Sequence, residues 1–337
     1  MSAGTKIPIV VVGGFLGSGK TTLLRRSLAG HSGTAIIVNE FGEIAHDQAL
    51  LRACSERVSV ISGGCACCVR REDLVLALRS LLDDHERGVA PLRRVVIEMS
   101  GLADPSPILF TIASDPMLRH HFEVRRVIIT VDAVNAQSEL VAHPEALKQV
   151  LVADVLVITK TDLASVQACD ELGGRLAAIN PAAGICRARD GAVEGAQDRD
   201  PLDGPATPAP RGPALPAAPA PAHTGDVHAV ALDAGAPLDW PAFVVWLSML
   251  LHARGEQVLR VKGLLELDDG SSVSINGVQH IMHEPEHLPA TRAPDQAPHL
   301  VLIVRGMDTD RLADSLRAFQ GAASPLRQSR SREEVRT

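Results

Sequence analysis

The chain is 337 residues long, with 46% hydrophobic and 22% charged residues, which excludes wholesale disorder and suggests about two globular domains. Its 33 basic residues against 40 acidic ones give a formal charge of −7, and aromatic residues make up 2% with no tyrosine at all. A nucleic-acid binder, which needs a concentrated basic face or stacking platforms, is therefore disfavoured, and the core must be aliphatic. The longest apolar stretch, Trp240–Leu251, contains Pro241 and Ser248 and is too short to span a bilayer, so no membrane partner is expected.

The first predicted strand is Ile7–Val12. Directly after it, Gly14-Phe15-Leu16-Gly17-Ser18-Gly19-Lys20-Thr21 matches G-x-x-x-x-G-K-[ST], followed by a helix carrying Leu23, Leu24 and Leu28. Glycines at 14, 17 and 19 let the backbone wrap a phosphate. The N–H groups around Ser18 turn inward, and the helix start at Lys20-Thr21-Thr22 adds partial positive charge. Lys20 would reach the β- and γ-phosphates, and the Thr21 hydroxyl would take one Mg²⁺ position.

Further predicted strands are Thr34–Val38 and Val58–Ile61, followed by Gly63-Gly64-Cys65-Ala66-Cys67-Cys68. A secreted disulfide framework spreads its cysteines to close loops. Three of the chain's six cysteines within four residues instead suggest metal or redox chemistry in a reducing compartment, hence a cytoplasmic protein. Cys65, Cys67 and Cys68 can occupy one face of a tetrahedral Zn²⁺ or similar soft-ligand site and leave a fourth position open; buried, inert cysteines are the alternative. A helix before Arg94 places Leu74, Leu78, Leu81 and Leu82 on one stripe. The strand Arg94–Met99 then carries Glu98 near its end, where a carboxylate faces the phosphate crevice and completes the Mg²⁺ shell, and the Gly101 N–H is placed to meet a γ-phosphate.

Strands at Val124–Val131 and Val155–Thr159 and helices at Pro144–Ala153 and Ser165–Ile179 continue the alternation. Near-continuous apolar strands alternating with helices predict a doubly wound, mostly parallel α/β layer. Thr159-Lys160-Thr161-Asp162 follows the last of these strands and resembles the N-K-x-D element of GTPases. Asp162 would accept from guanine, Lys160 would lay its stem on the base, and Thr159 stands where an Asn is expected. Asp162 as a helix cap is the alternative.

The boundaries drawn from composition are a nucleotide domain over 1–190, a linker over 191–224, a smaller α+β domain over 225–321 and a disordered tail over 322–337. The linker follows from eight prolines between Pro201 and Pro221. In the second domain, strands are predicted at Val227–Leu232, Val258–Leu267, Ser272–Val278 and Leu300–Val304. A helix capped by Asp239 should run to Arg254 with Trp240, Phe243, Val244, Leu247 and Leu251 inward, and Thr309 should cap a last helix. The spacing of His280, His283 and His287 suits one helix face, but Pro285 breaks that helix and favours exposed histidines. The isolated Cys54, Cys169 and Cys186 read as small buried hydrophobes.

With these segments in view, the chain resembles the CobW-type GTPases, a P-loop family of metallochaperones and metal insertases. The resemblance rests on residues 13–22, Asn39-Glu40-Phe41-Gly42-Glu43, Gly64-Cys65-Ala66-Cys67-Cys68, Glu98-x-x-Gly101-Leu-Ala-Asp-Pro105 and 159–162, in that order. It implies binding of GTP and Mg²⁺, slow hydrolysis, and Zn²⁺ (or Co²⁺ or Fe²⁺) at the three cysteines. It also implies delivery to a client apo-metalloenzyme. Glu40 and Glu43 would sit in a switch-like loop contacting Mg²⁺ or the transferred metal. A homo-oligomer stays open. The alternatives are a GTP-linked metal sensor that transfers nothing and an ATP-using P-loop protein of the transporter type, against which Asp162 argues.

Overall fold

The computed structural model describes residues 6–28, 32–40, 57–62, 71–194, 202, 227–233, 237–288 and 299–334. The chain divides into two units, Met1–Arg211 and Gly212–Thr337.

In the first unit, strands and helices alternate in the order β1 (Ile7–Gly14), α1 (Lys20–Leu28), β2 (Thr34–Glu40), β3 (Arg57–Ser62), α2 (Arg71–Glu86), β4 (Arg94–Glu98), α3 (Ser106–Ser114) and α4 (Pro116–His121). There follow β5 (Phe122–Asp132), α5 (Ala136–Ala142), α6 (Pro144–Val152), β6 (Val155–Thr159), α7 (Val166–Ile179), β7 (Gly184–Arg189) and β8 (Ala192–Val193). The strands form one sheet in the order β3-β2-β4-β1-β5-β6-β7-β8, parallel throughout except for the β7–β8 pair. All five residues of β4 and of β6 are buried, as a sheet covered on both faces requires. Alternate residues divide the faces: Val10, Val12, Ile36, Val38 and Val96 pack with Leu23, Leu24 and Leu28 of α1. The register Val38↔Glu98 and Val12↔Glu98 aligns the ends of β1, β2 and β4 at one edge of the sheet.

The predicted strands recur within a residue or two of their sequence bounds, and the predicted helices likewise. Ser165 caps α7 through its side chain to the Ala168 N–H, at 3.1 Å. Helices α3, α4 and α5 lie where no helix was expected. Each is short, and α3 opens at Asp104-Pro105, where the Asp104 carboxylate accepts from the Ser106 N–H at 2.8 Å. The packing of the first unit continues past residue 190. Strand β8 pairs with β7, Val193 packs against the α1 core and Leu202 is buried in it. The cause is a tight hairpin at Asp190-Gly191, both with positive φ, which returns the chain onto the sheet edge before the proline-rich stretch begins.

The second unit is an antiparallel sheet of β9 (Val227–Leu232), β10 (Val258–Glu266), β11 (Ser272–Val278), β12 (Ile281–Met282), β13 (Glu286–Leu288) and β14 (His299–Arg305), with α8 (Trp240–Arg254) and α9 (Thr309–Glu334). Its core joins Phe243, Trp246 and Leu247 of α8, Leu312 and Leu316 of α9 and the inward residues of β10, β11 and β14. Asp239 caps α8, accepting from the Ala242 N–H at 2.9 Å.

Three expectations fail here. Val244 is 40% exposed while Trp246 takes the inward place, donating its Nε1–H to Ser315 at 2.9 Å; the apolar stripe of α8 is one position off because the helix is apolar nearly all round. The cap of α9 is Asp308, whose carboxylate accepts from the N–H groups of Asp310 and Arg311, and Thr309 is already helical. The last helix also runs to Glu334, well past the expected end at Gly321. Strong helix formers on both sides of Gly321 and Pro325, such as Ala322, Ala323, Leu326 and Arg327, offset the two breakers. His280 and His283 lie in the turns that flank β12 and His287 lies in β13, none of them on a helix, and His280 and His287 are exposed.

Candidate nucleotide and metal site

Strand β1 delivers the loop 14–19 to the sheet edge, and α1 begins at Lys20. Gly14, Gly17 and Gly19 all take positive φ (144°, 74° and 88°), a backbone path that side chains at these positions would strain. The turn closes with the Ser18 N–H donating to the Phe15 carbonyl at 3.1 Å. The Lys20 ammonium lies over the loop, 2.9 Å from the Gly14 carbonyl and 3.2 Å from that of Phe15. Thr21 Oγ1 donates to Glu98 Oε1 at 3.1 Å. A hydroxyl and a carboxylate in contact beside a phosphate-wrapping loop form the hard oxygen set that a Mg²⁺–phosphate complex requires, so the residues present fit that ion.

Two neighbouring segments are built into the loop. Gly101 lies against Leu16 so closely that a Cβ would stand 2.8 Å from the Leu16 nitrogen and 3.0 Å from its Cα. On the other flank, Thr130 on β5 shares a 2.7 Å hydrogen bond with the Ser18 hydroxyl. Thr159 at the end of β6 donates to the Ser18 carbonyl at 2.7 Å. Thr159 is thus 5% exposed and ties the loop down with its hydroxyl.

Beyond Thr159 the chain turns through Lys160, whose φ is +57°, and its ammonium pairs with Asp132 at 2.7 Å. Asp132 is 1% exposed and also accepts from the Val134 N–H at 2.8 Å and from Asn135 at 2.9 Å. Burial alone would raise its carboxyl. The hydrogen bonds from Lys160, Val134 and Asn135, with the charge of Lys160, outweigh that and hold it below the ordinary value. Asp162 is exposed two residues further on. Thr161 Oγ1 lies 3.2 Å from both the Ala188 carbonyl and Glu194 Oε1, which joins this loop to the β7–β8 hairpin. The hairpin in turn reaches α1, where a Cβ on Gly191 would meet the Thr22 carbonyl at 2.6 Å.

The α5–α6 pair closes the remaining side. His143 stacks on Phe15 with ring centroids 4.6 Å apart, and Gln149 donates to the carbonyls of Gly101 and Ala103 at 3.1 and 2.8 Å. Glu139 is half-buried there. Burial, then the Asp132 charge, raises its carboxyl, against the opposing pull of Lys160, His143 and Lys20.

The metal expectation falls largely outside the described residues: Cys65, Cys67, Cys68 and Glu43 are not among them, and of Glu40 only the backbone is, as the last residue of β2. Among the described residues no group of three or more His, Cys, Asp or Glu side chains is placed to hold a metal ion. Cys169 is buried. The Cys186 thiol, pushed up to about 11 by burial, stays protonated at neutral pH and is a poor metal ligand.

Sequence reasoning missed Thr130, Asp132 and Gln149, and read His143 as a surface residue, which it is. Asp132 had a readable signal, since it ends a β-branched strand with a carboxylate as Glu98 does. Gln149 had one too, being a polar residue in line with Ala146 and Val150 on the buried face of α6.

Among the described residues no helix is long and apolar enough to cross a membrane. The chain shares 38% identity over 190 residues with the Escherichia coli zinc chaperone YjiA, covering 56% of this chain and 59% of that protein. With the Pseudomonas aeruginosa zinc chaperone CobW it shares 39% over 156 residues, 43% of this chain and 40% of that one. The chain thus spans about half the length of the curated relatives it matches. The crystal structure of the Zn(II)-bound YjiA GTPase from Escherichia coli superposes with a TM-score of 0.66 at 25% identity, over 94% of this chain and 99% of that one. Residues 8–187 match the CobW/HypB/UreG nucleotide-binding domain and residues 227–320 the CobW C-terminal domain, and the chain belongs to the CobW family of P-loop nucleotide-binding proteins.

Proposed function

We propose that the protein is a GTP-hydrolysing metallochaperone of the cytoplasm. It binds a transition metal, Zn²⁺ foremost with Co²⁺ or Fe²⁺ as alternatives, at Cys65, Cys67 and Cys68. It releases the metal to a client apo-metalloenzyme according to the nucleotide it holds. The observation that carries this reading is the alignment of strand ends: β3 ends at Ser62, three residues before Cys65, in register with the β2 end at Glu40, and Val38 of β2 is in register with Glu98. The segments that lead to the thiols and to Glu43 therefore leave the sheet at the edge that carries the phosphate loop. The names of the relatives, zinc chaperones and a Zn(II)-bound GTPase, support zinc as the cargo.

In this reading the N–H groups of residues 14–22 and Lys20 bind the β- and γ-phosphates, Gly101 senses the γ-phosphate, and Asp162 reads guanine with Lys160 beneath the base. Thr21 and Glu98 would hold Mg²⁺, which supplies charge neutralisation at the phosphates. Glu40 and Glu43 would join the switch-like loop between the two sites. A coupling of ~1–3 kcal/mol between nucleotide and metal changes metal retention roughly 5–150-fold, enough to load and unload a cargo.

The test is competitive metal titration of the purified chain when empty, GDP-loaded and loaded with a non-hydrolysable GTP analogue, repeated with Cys65→Ser and Cys67→Ser. Affinity that shifts with the nucleotide and collapses in the Ser variants, with nucleotide binding nearly intact, is the expected result. Equal affinity in all three states overturns the coupling. Metal that responds to nucleotide but never reaches an apo-enzyme in a transfer assay reduces the protein to a metal sensor.

A further inference from the structure

Gln149 of α6 reaches the turn after β4 through its side chain: its amide donates to the carbonyl of Gly101 at 3.1 Å and to that of Ala103 at 2.8 Å. Both partners are carbonyl oxygens, so the NH₂ end of the amide must face them and the orientation of the group is fixed by chemistry. Gln149 is 1% exposed, and among the described residues nothing donates to its Oε1. A buried amide with one end left over is a costly way to anchor a helix, and an apolar residue would fill the place without that cost.

The turn it holds is closed by the Ala103 N–H donating to the Ser100 carbonyl at 3.0 Å, and its Gly101 abuts the backbone of Leu16 in the phosphate loop. The same α5–α6 pair reaches the loop a second time through His143 stacked on Phe15, and Gln149 lines a pocket together with Phe15 and Glu139. One rigid piece of structure therefore grips both the phosphate loop and the turn that follows Glu98.

We propose that Gln149 is a positioning residue for the γ-phosphate: its two hydrogen bonds hold the Ser100–Ala103 turn against the phosphate loop in the arrangement that receives a nucleoside triphosphate. This rests on the GTPase reading above. The diphosphate, bound by residues 14–22, does not need the turn. The triphosphate does, so Gln149 discriminates between the two.

The experiment measures steady-state GTP turnover and the affinities for GDP and a GTP analogue on the full chain, for wild type, Gln149→Met (same length, no donor) and Gln149→Glu (same shape, an acceptor facing two carbonyls). The expected outcome is a fall in kcat and in GTP-analogue affinity on the order of tenfold or more, with GDP affinity held within about twofold. Unchanged turnover overturns the inference, and so does an equal loss of GDP and GTP-analogue affinity, which is what a merely structural anchor would give. Should neither variant fold, hydrogen exchange on the wild type decides: exchanging GDP for the GTP analogue should protect residues 101–103 and α6 together, and independent protection overturns the proposal. A wild type that neither binds nor hydrolyses GTP sinks the GTPase reading and this inference with it, whereas an active wild type with unaffected variants sinks this inference alone.

Discussion

The two flanks of the phosphate loop are built by different means. Toward β4, the loop meets its neighbour through backbone, Gly101 against Leu16, and through the Thr21–Glu98 side-chain contact. Toward β5 and β6, the loop is held by side-chain hydroxyls from Thr130 and Thr159, and the Asp132–Lys160 pair props the segment beyond. A backbone contact admits one residue type and tolerates no addition. A side-chain tie is replaceable and contributes increments. Substitutions on the first flank should therefore strike turnover, and those on the second should strike stability.

The largest expected effect is at the loop itself. Lys20→Ala removes the ammonium that in the proposed reading binds the β- and γ-phosphates, and GTP turnover should fall by at least about a hundredfold, as when a transition-state donor is lost. Phosphate release at wild-type rate would mean that the site is misassigned. Next comes Gly101→Ala, whose methyl meets Leu16 backbone that cannot swing aside. It should lower turnover on the order of tenfold while leaving GDP affinity little changed. Equal turnover in Gly101→Ala would break the distinction between the flanks, since a tight backbone contact would then have proved compliant.

This difference also decides what was legible in the sequence. The phosphate loop, Glu98 and Gly101 stand in a fixed spacing because backbone geometry demands particular residue types at particular steps. The parallel sheet was equally readable, because strands such as Arg94–Glu98 and Val155–Thr159 are buried on both faces and so appear as unbroken apolar runs. Thr159 was visible as a motif position, but not the reach of its hydroxyl to the Ser18 carbonyl, 141 positions away in sequence. Gln149 meets Gly101 across 48 positions, and no local pattern encodes that meeting. In the second unit, the stripe of α8 was misplaced because Val244, Val245 and Met249 are as apolar as the residues that face inward, so periodicity carries little information there.

On the second flank, Asp132→Asn sharpens the comparison through its pH dependence. The carboxylate lies below its ordinary value in the folded chain, held there by Lys160, Val134 and Asn135 against the cost of burial. A depressed folded value stabilises the fold above the unfolded value near pH 4, and the contribution is lost as pH falls through the folded value. At neutral pH the Asn variant should be less stable by about 2 kcal/mol, since it exchanges charged hydrogen bonds for neutral ones. The gap should narrow as denaturant unfolding is repeated below about pH 4. A gap constant from pH 7 to pH 3 would assign the loss to packing instead of charge.

Thr159→Val is the smallest change and the sharpest probe of the second flank. It keeps the β-branched shape that β6 requires and deletes the donor to the Ser18 carbonyl, leaving that buried acceptor without the bond. The expected cost is about 1 kcal/mol of stability, read as a shift in denaturant midpoint with an unchanged slope. Because the hydroxyl serves the loop and not the base, the ratio of GTP to ATP affinity should stay as it is in the wild type. If that ratio falls while stability holds, Thr159 reads the nucleotide after all, and the flank beside β6 would be a recognition surface instead of a brace.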